Sequence, residues 1–132
     1  MAASRTCIAI VDDDAGLNKA LDRLLRSAGF STCTFRSAED FLDHSAMERH
    51  DCLILDIRLP GISGIELSRR LESEHKHVPT IFITGQQGDW ECEQARHFIH
   101  NICLYKPFSD STLLKAVNAT LKSPLSNGPG SL

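Results

Sequence analysis

Cys52-Leu53-Ile54-Leu55-Asp56 is a run of four apolar residues closed by a carboxylate. A short apolar run of this length, rich in branched side chains, reads as a strand buried on both faces, as parallel sheets require. The same construction recurs three times. Cys7-Ile8-Ala9-Ile10-Val11 ends at Asp12-Asp13, Ile81-Phe82-Ile83 ends at Thr84, and Cys103-Leu104-Tyr105 ends at Lys106. In an open parallel sheet the C-terminal ends of the strands share one edge, and ligands bind there. Asp12, Asp13, Asp56, Thr84 and Lys106 are therefore expected to converge on one pocket.

The stretches between these runs carry helical periodicity. Leu17, Leu21, Leu24, Leu25 and Ala28 follow helical spacing, and Gly29 is placed to end that helix. Phe30 to Phe35 reads as a further strand, and Ser37 as the cap of a short helix bearing Phe41 and Leu42. Pro60-Gly61 mark a turn, after which Ser63 and Glu66 form a capping box for a helix with Ile65, Leu67 and Leu71. Pro79 opens the next strand. The polar Gly85-Gln86-Gln87-Gly88 loop leads to a helix expected around Trp90 to His100. Ser109 caps a final helix with Leu113, Leu114, Val117 and Leu121. Five βα units imply parallel strands with right-handed crossovers, hence a layered α/β fold. Residues 1–122 are expected to form one domain, and the Pro-, Gly- and Ser-rich residues 123–132 a flexible linker or tail.

At 132 residues the chain suits a single domain with one substantial core. Fourteen basic and seventeen acidic residues leave a formal charge of −3, which argues against nucleic-acid binding by this segment through bulk electrostatics. The apolar runs are strand-sized and too short to span a membrane, and residues 1–6 lack the apolar segment of a signal peptide, so a cytoplasmic location is expected. The five cysteines are odd in number and have no C-x-x-C spacing; buried, reduced thiols are expected, with Cys92 the exception for exposure.

Three carboxylates in one pocket repel one another unless a cation joins them, and hard oxygen donors suit Mg2+. Taken singly, each residue has an ordinary structural explanation: an acid at a helix start, a threonine in a strand, a lysine at the surface. Asp14 fits the capping role and is assigned to it. The set, at matching strand ends, favours chemistry. Asp56 is the candidate nucleophile toward phosphorus, with Asp13 and Asp56 holding the metal directly and Asp12 directly or through water. Lys106 and Thr84 are placed to hold phosphoryl oxygens. A phosphorylated Asp56 would gain a charge of about −1.5 to −2 at neutral pH, and movement of Thr84 toward it is a plausible switch.

The strings Ile10-Val11-Asp12-Asp13-Asp14, Leu55-Asp56-Ile57-Arg58-Leu59-Pro60-Gly61-Ile62-Ser63-Gly64, Ile83-Thr84-Gly85 and Lys106-Pro107-Phe108 resemble the receiver domain of two-component response regulators. Arg36-Ser37-Ala38-Glu39-Asp40-Phe41-Leu42 resembles the start of the second helix in the FixJ-like, LuxR-class subgroup. The resemblance implies a flavodoxin-like (CheY-like) doubly wound five-stranded parallel sheet with strand order 2-1-3-4-5. It also implies phosphorylation of Asp56 by a sensor histidine kinase, with Mg2+ held by Asp12, Asp13, Asp56 and the main-chain carbonyl of Arg58. A cis Lys106–Pro107 peptide is implied as well. The family's usual aromatic three residues before the lysine is replaced by Cys103, with Tyr105 expected on the same sheet face. Phe98-Ile99-His100-Asn101 replaces the usual Ala-Gly. The subgroup implies a transcriptional output domain and homodimerisation on phosphorylation, through the helix expected at Trp90 to His100 and the fifth strand. A stand-alone receiver is the alternative. An aspartate-nucleophile phosphatase is disfavoured because Arg58 stands where its second acid belongs, and an FMN protein because Asp12-Asp13-Asp14 would repel the FMN phosphate.

Overall fold

The computed structural model describes residues 6–45, 49–76, 78–85 and 102–122. Five strands, β1 (Cys7–Val11), β2 (Ser31–Phe35), β3 (Cys52–Asp56), β4 (Thr80–Thr84) and β5 (Ile102–Tyr105), form one sheet. Every pairing is parallel and the spatial order is β2-β1-β3-β4-β5, the order the resemblance implies. The helices are α1 (Ala15–Ser27), α2 (Ala38–Ser45), α3 (Gly64–Ser73) and α4 (Asp110–Leu121). The helix expected at Trp90 to His100 and the tail at 123–132 lie outside the described residues.

The three central strands dictate the layering. All residues of β3 and β4 are buried, which is why their sequences are continuous rather than alternating. Successive side chains still point to opposite faces. Ala9, Val11, Leu53, Leu55 and Phe82 join Phe35, Phe41, Leu67 and Leu71 on one face. Ile8, Ile10, Ile54, Ile81 and Ile83 join Leu21, Leu25, Leu113 and Val117 on the other. Each of the buried Val, Leu, Ile and Phe side chains stabilises by about 2 kcal/mol, so the strand ends are anchored from both sides. The rings of Phe35 and Phe41 meet edge to face at 5.3 Å and close the α2 side of the core.

Local signals set the helix ends. Asp14 caps α1, its carboxylate accepting from the amides of Gly16 and Leu17, which is the role assigned to it. Gly29, at φ 97°, follows the end of α1. Ser63 Oγ accepts from Glu66 N at 3.2 Å, and Ser109 Oγ from Thr112 N at 3.1 Å. Cysteine chemistry departs from the expectation of reduced thiols throughout. Cys7, Cys33 and Cys52 are thiols, as expected, and burial pushes the Cys52 thiol up to about 12. Cys103, however, is disulfide-bonded. Proximity in space decides such a bond, and sequence spacing does not reveal it. Cys103 and Tyr105 do share a sheet face, packing with the same cluster.

Candidate functional site

The acidic site forms because β1, β3, β4 and β5 end together. Ile57 N donates to Ile83 O at 3.0 Å and Lys106 N to Thr84 O at 2.8 Å, so the backbone stays paired as each strand enters its loop. At this edge Asp12, Asp13 and Asp56 each offer a carboxylate oxygen, all within 4.8 Å of one another. Asp12 is fully buried, Asp56 is 5% exposed, and Asp13 faces solvent. Lys106 reaches in from the end of β5, its Nζ 3.2 Å from Asp12 Oδ2 and 3.6 Å from Asp56 Oδ2. The Lys106–Pro107 peptide is cis. Thr84 is buried at the end of β4. Arg58 is exposed, and its amide donates to Asp56 Oδ1 at 3.1 Å. Asp12, Asp13, Asp56 and Lys106 come together at this edge, and Thr84 ends the neighbouring strand β4.

Burial shapes the charges. It is the largest cause lifting the Asp56 carboxyl to about 6, and the neighbouring Asp12 charge adds to the lift. The Arg58 amide and Lys106 pull the other way. For Lys106, burial works against the ammonium, but Asp56 and Asp12 outweigh it and raise its pKa. Asp12 Oδ1 accepts from Asp14 N at 2.9 Å, and the buried Asp12 Oδ2 is met by the Lys106 ammonium at 3.2 Å. Three carboxylates held by a single ammonium leave an excess of hard, negatively charged oxygen donors that a divalent cation would satisfy, so the donor set fits Mg2+.

One supporting residue escaped the sequence reading. Asn18 on α1 is 5% exposed, and its Nδ2 donates to Asp12 O at 2.8 Å and to Phe35 O at 3.2 Å. Asp12 N itself donates to Phe35 O at 3.1 Å. The side chain thus ties the ends of β1 and β2 to α1 directly behind the acid pair. The available signal was its position: Asn18, Leu21 and Leu25 form the buried stripe of α1, where a polar residue must find partners.

Known proteins resemble this chain in sequence and in fold. Residues 8–118 match the family model described as the response regulator receiver domain. Nodulation protein W of Bradyrhizobium diazoefficiens is 36% identical over 118 residues, spanning 89% of this chain and 52% of that protein. The response regulator protein TodT of Pseudomonas putida is 37% identical over 123 residues, spanning 92% and 54%. Among solved structures, the response regulator StyR superposes with a TM-score of 0.78 at 37% identity, covering 90% of this chain and 60% of that one. FixJ-N superposes with a TM-score of 0.79 at 30% identity, covering 91% and 96%.

The chain belongs to the response regulator receiver domain family. Members of this family act as phosphoacceptor switches in two-component signalling rather than as turnover enzymes, which sets the phosphatase reading aside. The chain spans about half the length of the curated relatives it matches. Among the described residues, no helix is long and apolar enough to cross a membrane.

Proposed function

We propose that Asp56 is the phosphoacceptor of a cytoplasmic receiver domain and takes its phosphoryl group from a sensor histidine kinase. The observation that carries this reading is the Lys106 ammonium set between Asp12 and Asp56 at an edge where three carboxylates converge. Asp12, Asp13, Asp56 and the main-chain carbonyl of Arg58 would hold Mg2+. Bound there, the ion would offset the repulsion between the carboxylates and an incoming phosphoryl group. An Asp56 carboxylate oxygen attacks phosphorus, the O–P bond forms, and the P–N bond to the donor imidazole breaks with its electron pair leaving on nitrogen. Lys106 then exchanges a carboxylate partner for a phosphoryl oxygen, and the Thr84 hydroxyl donates to another. Thr84 ends β4 and Lys106 follows the paired strand β5, so displacement of either would carry the change to β5.

Incubation with radiolabelled acetyl phosphate and Mg2+ is expected to give hydroxylamine-labile label approaching one per chain. Chelation of the metal with EDTA should prevent labelling. Undiminished label in Asp56→Asn would overturn the assignment.

The transcriptional regulators among the relatives, FixJ of Azorhizobium caulinodans and of Bradyrhizobium diazoefficiens, support an attached transcriptional output domain, with residues 123–132 as the connecting linker. The net charge of −3 argues against direct nucleic-acid contact through this segment. Phosphorylation is proposed to promote homodimerisation through β5 and the preceding segment. Light scattering should show a doubled mass on adding beryllofluoride with Mg2+; an unchanged monomer mass would count against dimerisation and favour a receiver that acts through other protein contacts.

A further inference from the structure

Glu39 lies in the motif Arg36-Ser37-Ala38-Glu39-Asp40, and the chemistry above leaves it unused. Ser37 Oγ accepts from Asp40 N at 3.0 Å, which fixes the first turn of α2 and with it the position of Glu39. Acids in a first turn are ordinarily explained by the helix dipole. Asp40 serves that purpose and pairs with His44 four residues on, at 3.1 Å. Glu39 instead reaches out of its own helix. Its Oε2 accepts from Ile62 N at 3.1 Å, across 23 positions of chain. Gly61, immediately before, has φ 76°, and a Cβ built there would collide with the same carboxylate. A glycine at this position therefore serves both the left-handed turn and the approach of Glu39.

The turn that Glu39 grips belongs to the loop joining β3 to α3. That loop is tied at its start, where Arg58 N donates to Asp56 Oδ1 at 3.1 Å, and at its end, where Gly64 N donates to Ile57 O at 3.0 Å. Glu39 adds a hold in the middle, from a different element. We propose that Glu39 is a positioning residue for the metal side of the site: its grip on the Gly61-Ile62 peptide keeps the Arg58 carbonyl aimed at the ion held by Asp12, Asp13 and Asp56. The inference rests on the metal-binding reading given above. Glu39 touches neither ion nor phosphoryl group, and acts through the loop.

The test combines Mg2+ titration, amide exchange and labelling on the whole chain. Partners of metal-ligating groups typically change affinity by about 10–100-fold when removed. For this exposed contact the low end is expected: Glu39→Ala should raise the Mg2+ Kd about tenfold. Labelling by acetyl phosphate should slow at limiting Mg2+ and return to within about twofold of wild type at saturating Mg2+. In the metal-free protein the Ile62 amide should exchange faster with solvent. Glu39→Gln keeps an oxygen acceptor and should stay within about twofold of wild type by each measure. Gly61→Ala, which drives the carboxylate away, should reproduce the Glu39→Ala affinity. Normal wild-type labelling with an unaltered Mg2+ Kd in Glu39→Ala would overturn the inference and leave the site reading standing. A Glu39→Gln variant as weak as Glu39→Ala would also overturn it, because charge and not the hydrogen bond would then be responsible. Wild-type protein that takes no label at Asp56 would instead sink the site reading itself, together with the inference.

Discussion

Asp56→Asn is expected to make the metal-free protein more stable at pH 8, by about 2 kcal/mol, with the advantage fading as the pH falls toward 4. Burial first, and the Asp12 charge second, lift the Asp56 carboxyl from 3.8 to about 6. A carboxyl whose pKa is higher in the folded state binds protons more tightly there. Stability is then lost as pH rises from 3.8 through 6, and above 6 the full penalty of the buried charge remains. A rise of about two units corresponds to roughly 3 kcal/mol. The pull of Lys106 is already part of that net rise, and placing an amide nitrogen beside the Lys106 ammonium trims the gain to about 2 kcal/mol. Urea unfolding of both proteins in EDTA, from pH 4 to pH 8, measures this directly. A difference that does not change with pH would contradict the account. Saturating Mg2+ should reverse the ranking, since a ligand at a hundred times its Kd adds about 2.7 kcal/mol to the form that binds it.

Gly64→Ala is expected to destabilise the domain by about 3 kcal/mol. Gly64 is the first residue of α3 and is buried. A Cβ there would overlap the carbonyl oxygen of Asp56 and crowd Ile57 Cα at 3.0 Å. Overpacking costs typically about 1–3 kcal/mol, and the upper end applies because both neighbours are backbone and cannot rotate away. The strain is relieved only by moving α3 off the end of β3, which disturbs the carboxylate that ends that strand. Labelling by acetyl phosphate should therefore fall along with stability. A shift in the urea midpoint at unchanged m-value would report the stability loss; a loss under about 1 kcal/mol would show that the helix start yields easily.

The strand-end residues were legible because each follows an apolar run, and parallel strands must finish on a common edge. The caps Asp14, Ser63 and Ser109 were legible because their hydrogen bonds are local, made to amides two or three positions away. What the sequence hid were contacts made over distance by ordinary polar residues. Asn18 reaches Phe35 O across 17 positions and Glu39 reaches Ile62 N across 23, and nothing near either residue in the chain names its partner. The same holds for Cys103, whose place in a strand-like run suggested a buried thiol and whose bond depends on what lies beside it in space.

Lys106 has a further consequence. Three carboxylates against one ammonium leave the pocket with two negative charges when Asp56 is ionised. A divalent ion brings that total to neutrality, whereas a monovalent ion leaves it short and a trivalent one overshoots. Lys106 would therefore tune the valence of a cation bound in the pocket, before any phosphoryl group arrives. A neutral side chain at this position would leave three negative charges and shift the balance toward more highly charged ions.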